Sequence, residues 1–212
     1  MQVPDKDHHI LNPLKEFLTL VYFNKLECSE VSDNLRFGDN MLENSYLYVN
    51  DLLSLLPEPH YTDCVNFIKT HRELFETSKG SAIKHQAWPG GYKQHIEEVM
   101  NIAVVTYCAL NDWRPLPFTL PDALLCLFLH DIEKVWKHVL KEEDKLNLDK
   151  DKFLKENFHL TEEHLNAIKY AHGEGEDYHP VNRVQTPLAA FVHHCDNTSA
   201  RIWFDFPKER NL

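Results

Sequence analysis

The stretch ALLCLFL, residues 123–129, constrains the fold more than any other part of the chain. All seven residues are apolar, and Thr119 with Pro121 shortly after it is a typical start of a helix. A helix that is apolar on every side, and too short to span a membrane, lies inside a globular core. His130 and Asp131 follow it directly. Burying an ionised carboxylate is costly unless a partner compensates its charge, and a metal ion is one such partner.

The remainder of the chain predicts an all-α protein. Six glycines among 212 residues are few, and runs of Val, Ile and Thr are scarce, which favours helices over strands. Residues 1–78 are predicted to form an N-terminal helical extension that packs on a core domain of residues 79–212. Apolar residues at helical spacing predict helices over 8–24, 41–56, 59–77, 91–110, 120–141, 149–157, 161–172 and 187–203.

The composition argues against several classes of protein. The net charge is −11 with histidine neutral, so the chain lacks the basic surface that grips a long nucleic-acid duplex. Five cysteines are scattered and form no CxxC pair, which argues against disulfides and against a thiolate zinc site. The N-terminus lacks the pattern of a secretory leader, and no apolar run approaches membrane-spanning length. We therefore expect a cytoplasmic protein that does not contact a membrane.

The chain has fourteen histidines, and only some of them are predicted to face the interior. His95 lies on the inward stripe of its predicted helix. Asp196 lies between apolar residues on one face of another helix, with His193 three residues before it. With His130 and Asp131, these residues make two histidines and two aspartates, which suit Mn, Fe, Co, Ni or Zn, and oxygen-rich sites also accept Mg. Exposed helix faces are predicted for His138, His159 and His164.

Four segments between Ser81 and Arg201 carry a further pattern. They are, in order, SAIKHQAWPGGYKQHIEEV (81–99), LFLHDIEK (127–134), IKYAHGEGEDYHP (168–180) and TPLAAFVHHCDNTSAR (186–201). They resemble the ligand-bearing segments of the HD-domain metal-dependent phosphohydrolases, and most closely those of the branch with HD-type 3'-to-5' exoribonucleases and relaxase-linked HD domains. Three positions depart from the family pattern, since Gln86 and Ala171 each replace a histidine and Glu133 replaces a glycine.

The resemblance implies an HD-domain helical bundle with additional N-terminal helices and a site built around a divalent metal ion. One firmly held ion is implied, of Mn, Mg, Fe, Ni, Co or Zn, and a second, weaker metal site is left open. The implied ligands of the first ion are His95, His130, Asp131 and Asp196.

Further residues are candidates for catalysis and for substrate binding. The implied catalytic residues are Asp131, Lys134 and His172. His85 and His193 are implied neighbours of the substrate or of a second metal. Trp88 and Tyr92 flank the Gly-Gly turn near His95, where either could stack on a base. The candidates for substrate binding are therefore His85, Trp88, Tyr92 and His193.

The expected activity is hydrolysis of a phosphate mono- or diester of a nucleotide or short oligonucleotide. One alternative is a 3'-to-5' exonuclease that acts on RNA or DNA ends. A second is a catalytically silent HD fold that serves as a binding or regulatory module, and a third is a plain helical interaction protein. The expected partner is a phosphorylated small molecule or short oligonucleotide, without a long duplex, and the oligomeric state is left open.

Overall fold

The computed structural model describes residues 46–137 and 149–202, and throughout these ranges the protein is all-α, as predicted. The helices are α1 Val49–Leu53, α2 His60–Thr70, α3 Arg72–Thr77, α4 Gly91–Trp113, α5 Leu120–Leu129, α6 Lys134–Lys137, α7 Lys150–Asn157, α8 Glu162–Lys169 and α9 Pro187–Ile202, with a short 3-10 turn at Gly175–Asp177. The predicted helix over 8–24, the start of the one over 41–56, Cys28 and His138 lie outside the described residues.

Helix α5 is the centre of the bundle, as its sequence predicts. Each residue of 123–129 is at most 1% exposed, and helices α1, α4, α8 and α9 pack around it. Its start is a capping box: the Thr119 hydroxyl accepts from the backbone N–H of Asp122, and the Asp122 carboxylate accepts from the backbone N–H of Thr119. This reciprocal pair satisfies two donors that a helix start leaves without partners.

Two predicted helix bounds are wrong. The helix predicted to run from 120 to about 141 ends at Leu129, because the chain turns over 130–133 before α6 begins. The Lys150 ammonium, from the start of α7, contacts the carbonyl oxygen of His130. The helix predicted over 59–77 is interrupted at His71, whose φ of −115° is not helical.

The described residues on either side of position 78 share one hydrophobic core. Phe75 of α3 packs edge-on against Tyr92 of α4, with ring centroids 5.5 Å apart, and also contacts Phe128 of α5. The backbone N–H of Val49 donates to Glu97 Oε1 at 3.1 Å, which ties α1 to α4. The boundary at residue 78 stays a prediction.

Expectations drawn from the composition can be compared with the described residues. The cysteines among them are buried and unpaired, as expected for a chain without a disulfide framework. No helix in the described ranges is both long and apolar enough to cross a membrane.

Candidate metal centre

Four side chains from three parts of the bundle meet beside the end of α5. His95 lies one turn into α4, His130 caps the C-terminus of α5, Asp131 follows in the turn, and Asp196 lies in the middle of α9. All four are buried, and one ligand atom from each lies within 4.8 Å of the others. These are the four residues that the sequence predicted as ligands.

The distances between these donor atoms match those around a transition metal. His95 Nε2 is 3.4 Å from His130 Nε2 and 3.2 Å from Asp196 Oδ1. Asp131 Oδ2 is 3.3 Å from His130 Nε2 and 3.6 Å from His95 Nε2. Bonds of about 2.1 Å separate neighbouring ligands by about 3.0 Å in an octahedron and about 3.4 Å in a tetrahedron. The buried cluster could therefore hold one metal ion.

Both histidine rings are oriented by hydrogen bonds at their other nitrogen. His130 Nδ1 donates to the carbonyl oxygen of Leu127, 2.7 Å away and one turn earlier in α5, so Nε2 is the ring nitrogen that faces the other members of the cluster. His95 Nδ1 lies 3.1 Å from the hydroxyl of Ser199, which is buried on α9 three residues after Asp196. Outer hydrogen bonds of this kind set the tautomer of metal-binding histidines. Ser199 was missed by sequence reasoning, although its spacing from Asp196 puts both on one face.

The electrostatics of the cluster favour ionised carboxylates. Burial alone raises the pKa of Asp131, but His130, His172 and Lys134 outweigh it and hold that pKa well below its usual range. Burial likewise opposes ionisation of Asp196, yet His130 and His95 lower its pKa. The two carboxylates in turn raise the pKa of His130 to about 10 despite its burial. Both oxygens of Asp131 are buried without a hydrogen bond of good geometry; the Lys134 ammonium balances part of the charge at Oδ2, and a bound metal ion would balance more of it.

The solvent-facing side of the cluster is at His172. Its Nε2 lies 3.3 Å from Asp131 Oδ1 and 3.8 Å from Asp196 Oδ2, while its side chain is 58% exposed. Asp131 thus presents one oxygen to His95 and His130 and the other to His172. The Lys134 ammonium contacts Asp131 Oδ2 and is 14% exposed. His172 and Lys134, both predicted as catalytic residues, therefore border the candidate metal ligands.

Two further predicted residues lie next to this group. The ring centroid of His85 is 5.1 Å from that of His95, and His85 Nε2 is buried without a hydrogen-bond partner. Burial, followed by the charges of His95 and Lys134, lowers the pKa of His85 to about 4, so its ring is neutral at pH 7. His193 Nδ1 donates to the carbonyl oxygen of Ala171 at 2.8 Å, which places its ring beside the residue that precedes His172.

The prediction that Tyr92 stacks on a base is wrong. Its side chain is 0% exposed and packs against Phe75 in the core, because the first turn of α4 is covered by α3. Trp88 is half-buried, and its indole N–H donates to Gln94 Oε1 at 2.7 Å. Its role in substrate binding stays a prediction.

The expected exposure of His164 is also wrong, whereas His159 is exposed as predicted. His164 is buried; its Nδ1 accepts from the backbone N–H of Thr161, and its Nε2 donates to Asp122 Oδ1 at 3.0 Å. Asp122 lies at the start of α5 and His130 at its end, about 12 Å apart along the helix axis. His164 therefore lies away from the candidate metal ligands, at the opposite end of α5.

Lys150 is a neighbour of the site that sequence reasoning missed. Besides contacting the carbonyl oxygen of His130, its Nζ lies 3.0 Å from Glu133 Oε2. It therefore braces the turn that carries Asp131. Lys150 is one of several lysines in a charged stretch, and no sequence signal distinguishes it from a solvated surface residue.

The fold and the site together define an all-α domain whose central helix ends at a buried cluster of two histidines and two aspartates. No family model, no curated protein and no solved structure matches the chain.

Proposed function

We propose that this chain is a metal-dependent phosphohydrolase that cleaves a phosphate mono- or diester of a nucleotide or short oligonucleotide. The observation that carries the proposal is the buried donor set of His95, His130, Asp131 and Asp196 next to basic side chains. The resemblance to the HD-domain phosphohydrolases supports the same reaction class. A divalent ion in such a site polarises a phosphoryl oxygen and lowers the pKa of bound water.

The protein groups around the donor set suit proton movement and charge compensation. Asp131 Oδ1 faces His172; because its pKa is held well below the usual range, Asp131 stays ionised and orients the attacking water, and His172 is the candidate acceptor for the proton. His172 Nε2, 3.3 Å away on a largely exposed side chain, can pass that proton to solvent. The Lys134 ammonium and the His85 imidazole border the same space and can donate hydrogen bonds to phosphate oxygens.

The charge distribution favours a small substrate. The whole chain carries a net charge of −11, so a long polyanion is repelled by most of its surface. A short phosphate ester needs only the few basic groups near the site, which include Lys134 and His172. We therefore favour a nucleotide or a short oligonucleotide over long duplex nucleic acid.

Metal analysis followed by a substrate panel tests this proposal. The purified chain is loaded with Mn, Mg, Ni or Co and incubated with nucleotides, cyclic dinucleotides and short labelled oligonucleotides. Asp131→Ala should abolish every activity found, whereas Asp151→Ala, at an exposed aspartate of α7, should keep it. An unchanged rate in the Asp131 variant would remove this residue from the mechanism.

The same panel separates the alternatives. A ladder of mononucleotides released from a labelled oligonucleotide would identify an exonuclease. Metal binding with tight ligand binding and no turnover would identify a silent binding module. Absence of bound metal together with full stability in chelator would identify a plain helical interaction protein.

A further inference from the structure

His85 reaches the site from a loop. It lies between α3 and α4, outside any helix, yet its ring is 5.1 Å from the ring of His95. Its buried Nε2 has no hydrogen-bond partner. A side chain on a loop has a defined position only if the loop backbone is held in one conformation. The contacts of the adjacent residue therefore determine the position of the His85 ring.

The backbone of the next residue, Gln86, is held between two glycines. The N–H of Gly80 donates to the carbonyl oxygen of Gln86 at 2.9 Å. A Cβ added at Gly91 would lie 2.0 Å from the same oxygen, and one at Gly80 would lie 2.8 Å from Gln86 Cβ. Gln86 itself has a φ of 41°, in the left-handed region that side chains other than glycine rarely adopt. Such a conformation persists where the surrounding structure enforces it.

The side chain of Gln86 ties this loop to the helix that carries His95. It is 7% exposed, and its Nε2 donates to Glu98 Oε2 at 2.6 Å. Glu98 lies on α4 three residues after His95, so the two side chains project from neighbouring positions on the helix surface. A hydrogen bond to a carboxylate is stronger and more directional than a neutral one.

We infer, on the basis of the proposed function, that Gln86 and Glu98 form a positioning pair that holds the His85 imidazole beside His95, where His85 Nε2 contacts a phosphate oxygen of the substrate. Gln86 stands where the family pattern has a histidine. In this inference its role is to hold the loop in place, and it takes no direct part in the reaction. Neither Gln86 nor Glu98 belongs to the cluster of His95, His130, Asp131 and Asp196, and in this inference both act through His85.

A spectroscopic experiment tests the placement without any turnover. The full chain is labelled with ¹³C-histidine, and its NMR spectra with diamagnetic Zn²⁺ and with paramagnetic Co²⁺ are compared. The His85 signal is assigned by its loss in His85→Gln. The cobalt-induced shift of His85 should decrease in Gln86→Ala and in Glu98→Ala, because the ring is no longer held at one distance and orientation from the metal ion. The signals of His95 and His130 should stay in place.

Two variants make this result specific. Glu98→Gln keeps an oxygen that accepts from Gln86 and should restore most of the His85 shift, even if Gln86→Ala fails to fold. Lys93→Ala removes an exposed ion pair from α4 to Glu76, 2.9 Å in length, and should leave the shift unchanged. If cobalt does not bind, the proposed function fails. If cobalt binds and the His85 shift is equal in wild type and Glu98→Ala, the positioning pair alone is refuted.

Kinetics with bis(p-nitrophenyl) phosphate as the probe provide the second readout. His85→Ala and Gln86→Ala should each raise KM about tenfold, the value of one hydrogen bond, with a smaller change in kcat. Because Gln86 acts through His85, the double variant should be no worse than His85→Ala. Losses that multiply to about a hundredfold in the double variant would show independent roles and overturn the inference.

Discussion

Metal binding should stabilise the fold by an amount set by the ratio of the metal concentration to Kd. The donor atoms of His95, His130 and Asp196 are already 3.2–3.4 Å apart, so the folded protein brings them together before a metal ion binds. At a metal concentration a hundred times Kd, the free energy of unfolding should rise by about 2.7 kcal/mol. For a chain of 212 residues this corresponds to an increase in Tm of about 5–10 °C.

Thermal unfolding followed by circular dichroism at 222 nm, with Mn²⁺ or with EDTA, measures this shift. Asp131→Asn preserves the shape of the side chain but removes an ionised ligand, so the metal-dependent part of Tm should vanish. Asp151→Asn, at an exposed position on α7, should retain it. Equal Tm values for the wild type in metal and in chelator would refute the idea that these four side chains hold a cation.

Three further outcomes test the contacts around the site. Lys150→Met should weaken Mn²⁺ binding about tenfold in isothermal titration, because the turn that carries Asp131 loses its brace; an unchanged Kd would contradict this. Gly91→Ala should lower the free energy of unfolding by about 1–3 kcal/mol in urea titrations, since its Cβ would lie 2.0 Å from the Gln86 carbonyl oxygen. Although burial opposes it, hydrogen bonds from His164 and Thr119 lower the pKa of Asp122 to about 2. Because this folded-state pKa lies below the unfolded value, the stabilisation is present above about pH 4 and is lost as the pH falls towards 2. After allowance for partial exposure it amounts to about 1–2 kcal/mol, so urea midpoints of Asp122→Asn should show a smaller drop between pH 5 and pH 3 than those of wild type.

Local sequence signals predicted the starts of helices better than their ends. Thr119 and Thr161 cap α5 and α8 as expected, because a capping hydroxyl bonds to a backbone N–H only a few residues away. The carbonyl oxygen of His130, just after the end of α5, contacts Lys150 from a different helix. The sequence pattern after Leu129 gives no sign of this contact with a distant residue. The predicted helix therefore extended beyond the observed end of α5.

Burial of single side chains was harder to predict where another helix covers the position. Tyr92 follows two glycines, and its place beside this turn predicts an accessible ring. In the fold, Phe75 of α3 packs against that ring. His164 lies among charged residues in the sequence, but its ring is buried and donates a hydrogen bond to Asp122 of the central helix. In both cases the deciding neighbour is far away in the chain.

The amino-acid sequence by itself determined the helical class, the central position of α5 and the identity of the four residues in the buried cluster, because helix periodicity and side-chain chemistry are local properties. Only the tertiary structure decided that His95 Nε2 and His130 Nε2 lie 3.4 Å apart, that His172 is the solvent-facing neighbour, and that Gln86 bonds to Glu98. Those distances depend on how whole helices pack, and packing is the sum of many contacts between residues that are distant in the chain.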